Sequence, residues 1–224
     1  ATTFAQTDHA LEMRVKQLSI LAELGQMLTA SFKDTNRVYE TILNYVVTVT
    51  RAPHGAIIMH NETDMLHVPA QFNYPDDFFS SVAILREGMV GQVMQEGAVI
   101  QCDDTHEEED CAPLLPTTRS LLLVPIWRAD ACVGLIVLES EEVGAFSQDD
   151  SGFLQQVAHQ GIIAIENTQL FQRVRQARDN MAVILNAMEE GILLLGADGS
   201  VIQANPRIDL VGLDSYYLVQ QPIT

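Results

Sequence analysis

The sequence predicts an α+β domain in which long helices flank a central antiparallel sheet. Two apolar runs rich in leucine and β-branched residues, 120–127 and 132–139, are separated by four residues and indicate a hairpin in the sheet centre. Before and after the sheet segments, apolar residues recur every three or four positions, which is typical of helices that cover a sheet. With 224 residues and 47% hydrophobic content, the chain can bury one core of ordinary size and a smaller second unit.

Net charge restricts the partners that we expect. The chain has 30 acidic residues against 12 Lys and Arg, a formal charge of -18. Such a surface should repel phosphate backbones and anionic membranes, so we expect no nucleic-acid partner and no direct membrane contact. The sequence has no apolar run of about eighteen residues and no signal-like start, which favours a cytoplasmic location. It starts at Ala1 without a methionine, so we expect a piece of a longer protein.

Two amphipathic helices are predicted before the sheet. The first covers residues 8–32 and has its apolar residues on one face. The second starts after Asp34, whose side chain can cap it. Residues 56–59 and 65–68, around a polar turn, then indicate the first hairpin of the sheet. The apolar positions of the helices are Leu11, Val15, Leu18, Leu21, Leu24, Leu28 and Phe32, then Val38, Ile42, Val46 and Val49.

The middle of the chain predicts loops and short elements. Residues 72–85 contain aromatic residues and prolines without a clean period, and Gly88 opens a short helix that continues to Met94. A short strand at 98–101 follows. The acidic stretch 102–111 cannot bury enough apolar area to order itself, so we expect a mobile surface loop there.

A long helix is predicted after the second apolar run. Ser147 and Asp150 form a relative of the capping box at its start. Its apolar residues keep alternating steps of three and four, the a/d rhythm of a coiled coil, and Asn167 falls on the same seam. Residues 191–195 and 201–205 then form a separate hairpin. The seam consists of Ile163, Leu170, Val174, Ala177, Met181, Ile184 and Met188.

Four segments in chain order carry recognisable patterns: a glycine-flanked helix start, a strand ending in proline, the strand after it and a closing helix. They are residues 88–93, 119–126, 133–138, and 146–150 together with 158–167. Taken in this order, the segments resemble a GAF domain, a ligand-sensing module of bacterial kinases and second-messenger enzymes. The resemblance covers about residues 10–172.

Residues 184–192, the Asp198-Gly199 turn and residues 204–206 resemble the start of a PAS domain, a second ligand-sensing module. Roughly forty residues remain where such a domain needs about a hundred, so we expect this PAS-like segment to be incomplete. The two resemblances imply four parts: an N-terminal signalling helix (1–33), a GAF-like sensor domain (34–172) against which helix 10–33 packs, a coiled-coil linker helix (165–188) and the PAS-like segment (189–224).

The GAF resemblance implies a fold and a function. The long terminal helices would cover one face of the antiparallel sheet, and short helices and loops would cover a ligand pocket on the other. The domain would sense a small ligand or a redox change for a bacterial signalling protein such as a sensor kinase, as a homodimer joined along the helix seam. A polar residue on the seam fixes register, although Asn167 could equally cap the helix. The predicted relay residues are Asn167, Leu170, Val174 and Met181.

Eight residues are candidates to line the pocket that the resemblance implies. Aromatic residues clustered between strands are more often core than ligand contacts, so a ligand-free dimerisation scaffold is the alternative. The ligand or cofactor is unknown from the sequence; a haem would need a pocket histidine, for which His54, His60 and His67 are conceivable. The pocket candidates are Phe72, Phe78, Phe79, Met89, Val90, Cys102, Asp103 and Cys111.

Three cysteines leave further chemical alternatives open. Their number is odd and no C-x-x-C occurs, so we expect reduced thiols and no metal site. Cys102, His106 and Cys111 still permit a redox or metal role. The resemblance also permits a free methionine sulfoxide reductase, but Val90 stands in the segment where that enzyme would place a cysteine. We therefore expect no catalytic residue and no enzyme.

Overall fold

A five-stranded antiparallel sheet forms the centre of the fold. The structure, a computed structural model, describes residues 34–61, 65–75, 77–80, 88–108, 111–205 and 207–208. The strands are β1 (His54–His60), β2 (Leu66–Phe72), β3 (Ile100–Cys102), β4 (Ser120–Arg128) and β5 (Ala131–Ser140). They lie in the spatial order β2-β1-β5-β4-β3, and each neighbouring pair is antiparallel.

β4 and β5 form the predicted central hairpin, and both of its faces are covered. The register pairs Leu122 with Leu138 and Leu123 with Val137. Because successive residues of a strand point to opposite faces, the first pair packs on one side of the sheet and the second pair on the other. This double burial explains why the two strands read as nearly continuous apolar runs.

Two of the three α-helices in the described part of the chain cover one side of the sheet, which we call the helix face. The helices are α1 (Thr35–Thr50), α2 (Met89–Glu96) and α3 (Gln148–Ala187). At the start of α1, the Asp34 carboxylate accepts a hydrogen bond from the Asn36 N–H at 3.0 Å. At the start of α3, Ser147 and Asp150 exchange hydrogen bonds, which confirms the predicted capping box. The helix-face core includes Val38, Ile42, Val46, Ile57, Leu122, Val124, Ile136, Leu138, Leu154, Val157, Ile162 and Ile165.

α2 and the loops around it cover the opposite side of the sheet, which we call the α2 face. Gly88 precedes α2 with a φ of 86°, a conformation that favours glycine. A short 3-10 turn, Phe78–Ser80, packs on the same side through its aromatic residues. The core of the α2 face consists of Ile58, Leu66, Met89, Val90, Val93, Cys102, Leu121, Leu123, Leu135 and Val137.

Gly97 ends α2 against the single tryptophan, Trp127. Its φ is 66°, and an added Cβ would overlap the Trp127 ring. We expect Gly97→Ala to lower the free energy of unfolding by about 2–4 kcal/mol, from left-handed strain plus overpacking. Gly144 has a φ of 62° with nothing within 4 Å of such a Cβ, so Gly144→Ala should lose only about 1 kcal/mol. Urea unfolding followed by Trp127 fluorescence measures both, and equal losses would contradict the packing argument.

The described residues from Leu170 to Ile208 belong to a second compact unit. Asn205, 2% exposed, ties its hairpin to the end of α3. The Asn205 Oδ1 accepts a hydrogen bond from the Ile192 N–H at 2.8 Å, and Nδ2 donates to the carbonyls of Leu185 and Glu190 at 2.9 and 2.8 Å. The buried amide is therefore fully satisfied and fixes the connection. The hairpin, as predicted, consists of β6 (Leu193–Leu195) and β7 (Val201–Ala204).

The acidic loop after β3 differs from its prediction as a mobile loop. The Arg119 guanidinium donates two hydrogen bonds to the Asp104 carboxylate, at 3.0 and 2.6 Å. The Thr105 N–H donates to the Arg119 carbonyl at 2.8 Å. An ion pair and backbone hydrogen bonds thus anchor the first half of the loop, although it buries little apolar area.

The remaining predicted elements of the first unit are found within a few residues of their expected bounds. The predicted helix at 8–32 lies outside the described residues. Within the described part of the chain, no helix combines the length and the apolar character needed to cross a membrane.

Candidate functional site

Six of the eight predicted pocket residues meet on the α2 face. Met89, Val90 and Cys102 are at most 4% exposed and belong to its core. Phe79 and Cys111 are partly buried and pack against that core. Only the partly buried members therefore present surface to a ligand in this conformation. The six are Phe78, Phe79, Met89, Val90, Cys102 and Cys111.

The other two predicted pocket residues, Phe72 and Asp103, lie apart from this group. Phe72 pairs with Gly55 across β1 and β2, and a Cβ on Gly55 would meet Val47 of α1, so Phe72 lies on the helix face. It is 39% exposed. The Asp103 side chain is exposed after β3 and accepts a hydrogen bond from the Gln101 amide at 3.2 Å.

Three aromatic rings form a cluster at the edge of the α2 face. The ring centroid of Tyr74 lies 5.2 Å from that of Phe78 and 4.9 Å from that of Phe79, and the centroids of Phe78 and Phe79 lie 5.0 Å apart. Tilted and edge-to-face contacts at these distances are favourable for aromatic pairs. Ala56 and Leu115 complete the cluster, and only 7% of Tyr74 is exposed. The rings pack on one another and close this edge.

A buried carboxylate, Glu139, connects this cluster to the sheet. Its Oε2 accepts a hydrogen bond from the Tyr74 hydroxyl at 2.7 Å. Its Oε1 accepts from the backbone N–H groups of Leu114 and Leu115 at 2.6 and 3.4 Å. Glu139 is 1% exposed and lies on β5, so one side chain holds two separate loops to a central strand.

Burial raises the pKa of Glu139, while the hydrogen bonds that its carboxylate accepts act in the opposite direction. Burial, together with the charge of Glu139, raises the pKa of the Tyr74 hydroxyl, which therefore stays protonated and donates. The Thr118 hydroxyl is buried close to the same carboxylate but lacks hydrogen-bond geometry to it. Among the described residues, no Lys or Arg forms an ion pair with Glu139.

A disulfide between Cys102 and Cys111 closes the acidic loop. The prediction of reduced thiols is wrong for this pair, and the odd cysteine, Cys132, is free. Cys102 ends β3, and Cys111 begins the segment that returns to β4. The loop folds back so that their Cα atoms lie 6.5 Å apart, within the span of a disulfide. This return is a three-dimensional feature that cysteine spacing alone does not reveal.

The same loop places Glu108 beside the disulfide. The Cys111 Sγ lies 3.6 Å from the Glu108 carboxylate, and potential ligand atoms of Cys102, Glu108 and Cys111 lie within 4.8 Å of one another. Because the two sulfurs are bonded to each other, neither is available as a thiolate ligand. His106 is exposed in the loop. The oxidised loop therefore does not fit a metal ion.

Two concavities of the described surface lie away from the predicted pocket residues. One, of about 700 Å³, contains His54, whose Nδ1 lies 2.8 Å from the Asn73 carbonyl oxygen. The other, of about 400 Å³, lies between the end of α2, β4 and α3 and contains Trp127 and His159. A hydrogen-bonded ring nitrogen makes His54 a poor haem ligand through that atom.

A sequence profile of the GAF domain matches residues 33–166, which span the sheet and the first half of α3. The chain belongs to the GAF domain family. No curated protein sequence matches the chain.

Solved structures that share this fold at low sequence identity include two GAF domains and one enzyme. The GAF domain from an Acinetobacter phosphoenolpyruvate-protein phosphotransferase has a TM-score of 0.58 and 20% identity, covering 69% of this chain and 95% of that one. The GAF domain of a protein described as a sensor histidine kinase from Pseudomonas syringae pv. tomato has a TM-score of 0.51 and 17% identity, covering 78% and 99%. Free methionine-R-sulfoxide reductase from Neisseria meningitidis, in complex with its substrate, has a TM-score of 0.57 and 14% identity, covering 69% and 90%.

α3 of this GAF domain continues past the profile match with an exposed apolar stripe. Asn167, on the same stripe, is also exposed. The opposite side of the helix, including Leu154 and Ile165, is buried in the GAF core. All four predicted relay residues are exposed residues of α3, Asn167 in the first compact unit and the other three in the second. The apolar members of the stripe, 40–61% exposed, are Ile163, Leu170, Val174, Met181, Ile184 and Met188.

Glu139 and Tyr74 are the residues of the GAF α2 face that sequence reasoning missed. A signal for Glu139 was present: Leu135, Val137 and Glu139 occupy alternate positions of β5, so all three point to the same face. A carboxylate at a strand position that faces the same side as buried apolar residues is a candidate buried acid. The sequence contains no comparable signal for Tyr74, because its position depends on how the chain turns after β2.

Proposed function

We propose that this GAF domain is a sensory or regulatory domain of a bacterial signalling protein, which relays changes on the α2 face through a dimeric coiled coil. The observation that carries the proposal is the geometry of α3. One side of the helix is buried against the sheet, and its exposed apolar stripe continues beyond the domain. The likeness to GAF domains of a protein described as a sensor histidine kinase and of a phosphoenolpyruvate-protein phosphotransferase supports a regulatory role.

The input side of the proposal is the α2 face. Glu139 and Tyr74 supply polar groups there, and the disulfide-closed loop borders it. Leu122 and Leu138, on the other side of the same strands, pack in the core that includes α3. A ligand or a redox change that favours one arrangement of the α2 face can therefore bias α3 through the sheet, by about 1–3 kcal/mol.

The output side is a pair of α3 helices from two copies of the chain. An exposed stripe of leucine, valine, isoleucine and methionine at a/d spacing is stabilised when a second copy covers it. Asn167 is the polar position that would fix register within this pair. The unit after residue 170, with Asn205 joining its hairpin to α3, is proposed to be a PAS-like segment that receives the relayed change.

The second candidate is a thiol-dependent free methionine sulfoxide reductase. The Cys102–Cys111 disulfide favours it, together with the likeness to the Neisseria meningitidis reductase. In such a reaction two thiols would reduce the sulfoxide to methionine and water and become a disulfide. Incubation of the reduced chain with methionine sulfoxide separates the candidates, since only the reductase converts it to methionine with formation of one disulfide per turnover.

Hydrogen–deuterium exchange tests the proposed relay. The protein as isolated is compared with protein that has been unfolded, freed of small molecules and refolded, and each sample is measured oxidised and reduced. We expect at least one of the two changes to alter exchange both on the α2 face, in residues 111–118, and along residues 163–188. Changes confined to the α2 face, or no change in either comparison, would contradict a sensing role.

A further inference from the structure

We propose that the Cys102–Cys111 disulfide is a regulatory exchange site that reacts with cationic or neutral low-molecular-weight thiols in preference to anionic ones. The regulatory part rests on the proposed sensory function, whereas the exchange chemistry does not.

Burial determines which sulfur is attacked. Cys102 is 1% exposed in the core of the α2 face, whereas Cys111 is half-buried at the start of a surface segment. An incoming thiolate can therefore reach the Cys111 Sγ, and Cys102 is the leaving group. Thiol–disulfide exchange needs this access together with an attacking thiolate.

The exchange is balanced by two equivalents of thiol. The first thiolate attacks the Cys111 Sγ, the sulfur–sulfur bond breaks, and its electron pair goes to Cys102, which takes up a proton. A second thiolate then attacks the mixed disulfide on its small-molecule sulfur and releases Cys111, which is protonated in turn. The net products are two protein thiols and one low-molecular-weight disulfide.

Charge around Cys111 selects the thiol. The Glu108 carboxylate lies 3.6 Å from the Cys111 Sγ, and Asp103 and Glu107 are exposed in the same loop. The nearby Arg119 is already paired with Asp104 at 2.6 Å. A thiol that carries additional negative charge is repelled by this surface, and one that carries an ammonium group is attracted.

Opening the disulfide releases the loop at its Cys111 end only. Asp104 and Thr105 remain held by Arg119 and by the Thr118 carbonyl. Cys111 loses its covalent attachment to Cys102 at the end of β3. The next residue, Ala112, contacts the Met89 sulfur of α2 through its backbone N–H at 2.9 Å. Exchange at Cys111 therefore acts directly on the segment that covers α2.

The selectivity is measured as rates of reduction. The chain with Cys132→Ser, which leaves only this pair, is mixed with cysteamine (cationic), mercaptoethanol (neutral) or mercaptopropionate (anionic), and reduction is followed by alkylation and intact mass. With rates expressed per thiolate, we expect cysteamine to react on the order of tenfold or more faster than mercaptopropionate at low salt, and the difference to shrink at high salt.

A matched pair of variants assigns the effect to the loop. Glu107→Gln with Glu108→Gln should reduce the difference between the thiols severalfold. Glu40→Gln with Asp130→Asn removes the same charge from α1 and from the β4–β5 turn, and should leave the difference unchanged.

Equal rates for the three thiols at low salt, or equal effects of the two double variants, would overturn the proposal. Free alkylation of both cysteines before any thiol is added would also overturn it. These rates do not depend on relay to α3, so failure here is distinguishable from failure of the sensory function.

Discussion

Val174→Glu is expected to sediment as a monomer at micromolar concentrations where the parent chain is a dimer. Val174 is 61% exposed on the apolar stripe of α3. In the proposed dimer it is covered by the second copy, so the substitution removes two apolar contacts and buries two like charges. We expect the dissociation constant to rise at least about 100-fold, on the order of 3 kcal/mol. Sedimentation equilibrium measures the change.

Val183→Glu is the matched control, because it makes the same substitution on the same helix. Val183 is 68% exposed but is not a seam residue, although it stands between Met181 and Ile184 in the sequence. Val183→Glu should leave the dissociation constant within about threefold of the parent value, a change of about 0.6 kcal/mol. If both variants weaken the dimer equally, or if the parent chain is already monomeric, the assignment of the stripe as a dimer seam is wrong.

Glu139→Ala is expected to lower the free energy of unfolding by about 3 kcal/mol. The substitution removes the acceptor of three hydrogen bonds and leaves the Tyr74 hydroxyl and the Leu114 N–H buried without that partner. Both loops held by this carboxylate should also exchange their amide hydrogens faster. Urea unfolding measures the free energy, and the exposed neighbour Glu141→Ala is the control, expected to change it by less than about 0.5 kcal/mol. Equal effects of the two variants would contradict the role of Glu139 as an anchor.

Glu139→Gln tests the sign of the pH dependence. Burial raises the folded-state pKa of Glu139 above its ordinary value of 4.5, so folding favours the protonated form. The stabilising contribution of this group is fully present below the unfolded-state pKa and is lost as pH rises through the folded-state pKa. Glutamine does not titrate. The stability of the parent chain relative to Glu139→Gln should therefore fall as pH is raised from 4 towards 7, and a relative stability that rises would contradict the assignment.

Local patterns account for the parts of the fold that were predictable. The β4–β5 hairpin follows from two β-branched, apolar runs that are close in sequence, and α3 follows from a capping box and a regular apolar period. Such signals depend only on residues that are close in sequence, so they can be recognised without knowledge of the tertiary structure.

Features that depend on tertiary placement were not predictable from these patterns. The side of the sheet on which Phe72 lies is set by the β1–β2 register, which shifts between Ile57 and Met59. Aromatic composition carries no information about such a shift. The Cys102–Cys111 pair likewise depends on an anchored loop, and Arg119 provides that anchor from fifteen residues away.

Native mass spectrometry of the protein purified from the organism that makes it tests the central claim most directly. It measures the number of chains in the assembly and detects any retained small molecule. After reduction, it also detects the gain of about 2 Da that marks a broken disulfide. A sensory domain that relays through α3 is predicted to be a dimer that carries either a small molecule lost on denaturation or an intact Cys102–Cys111 bond. A bare monomer with all three thiols free would contradict the account.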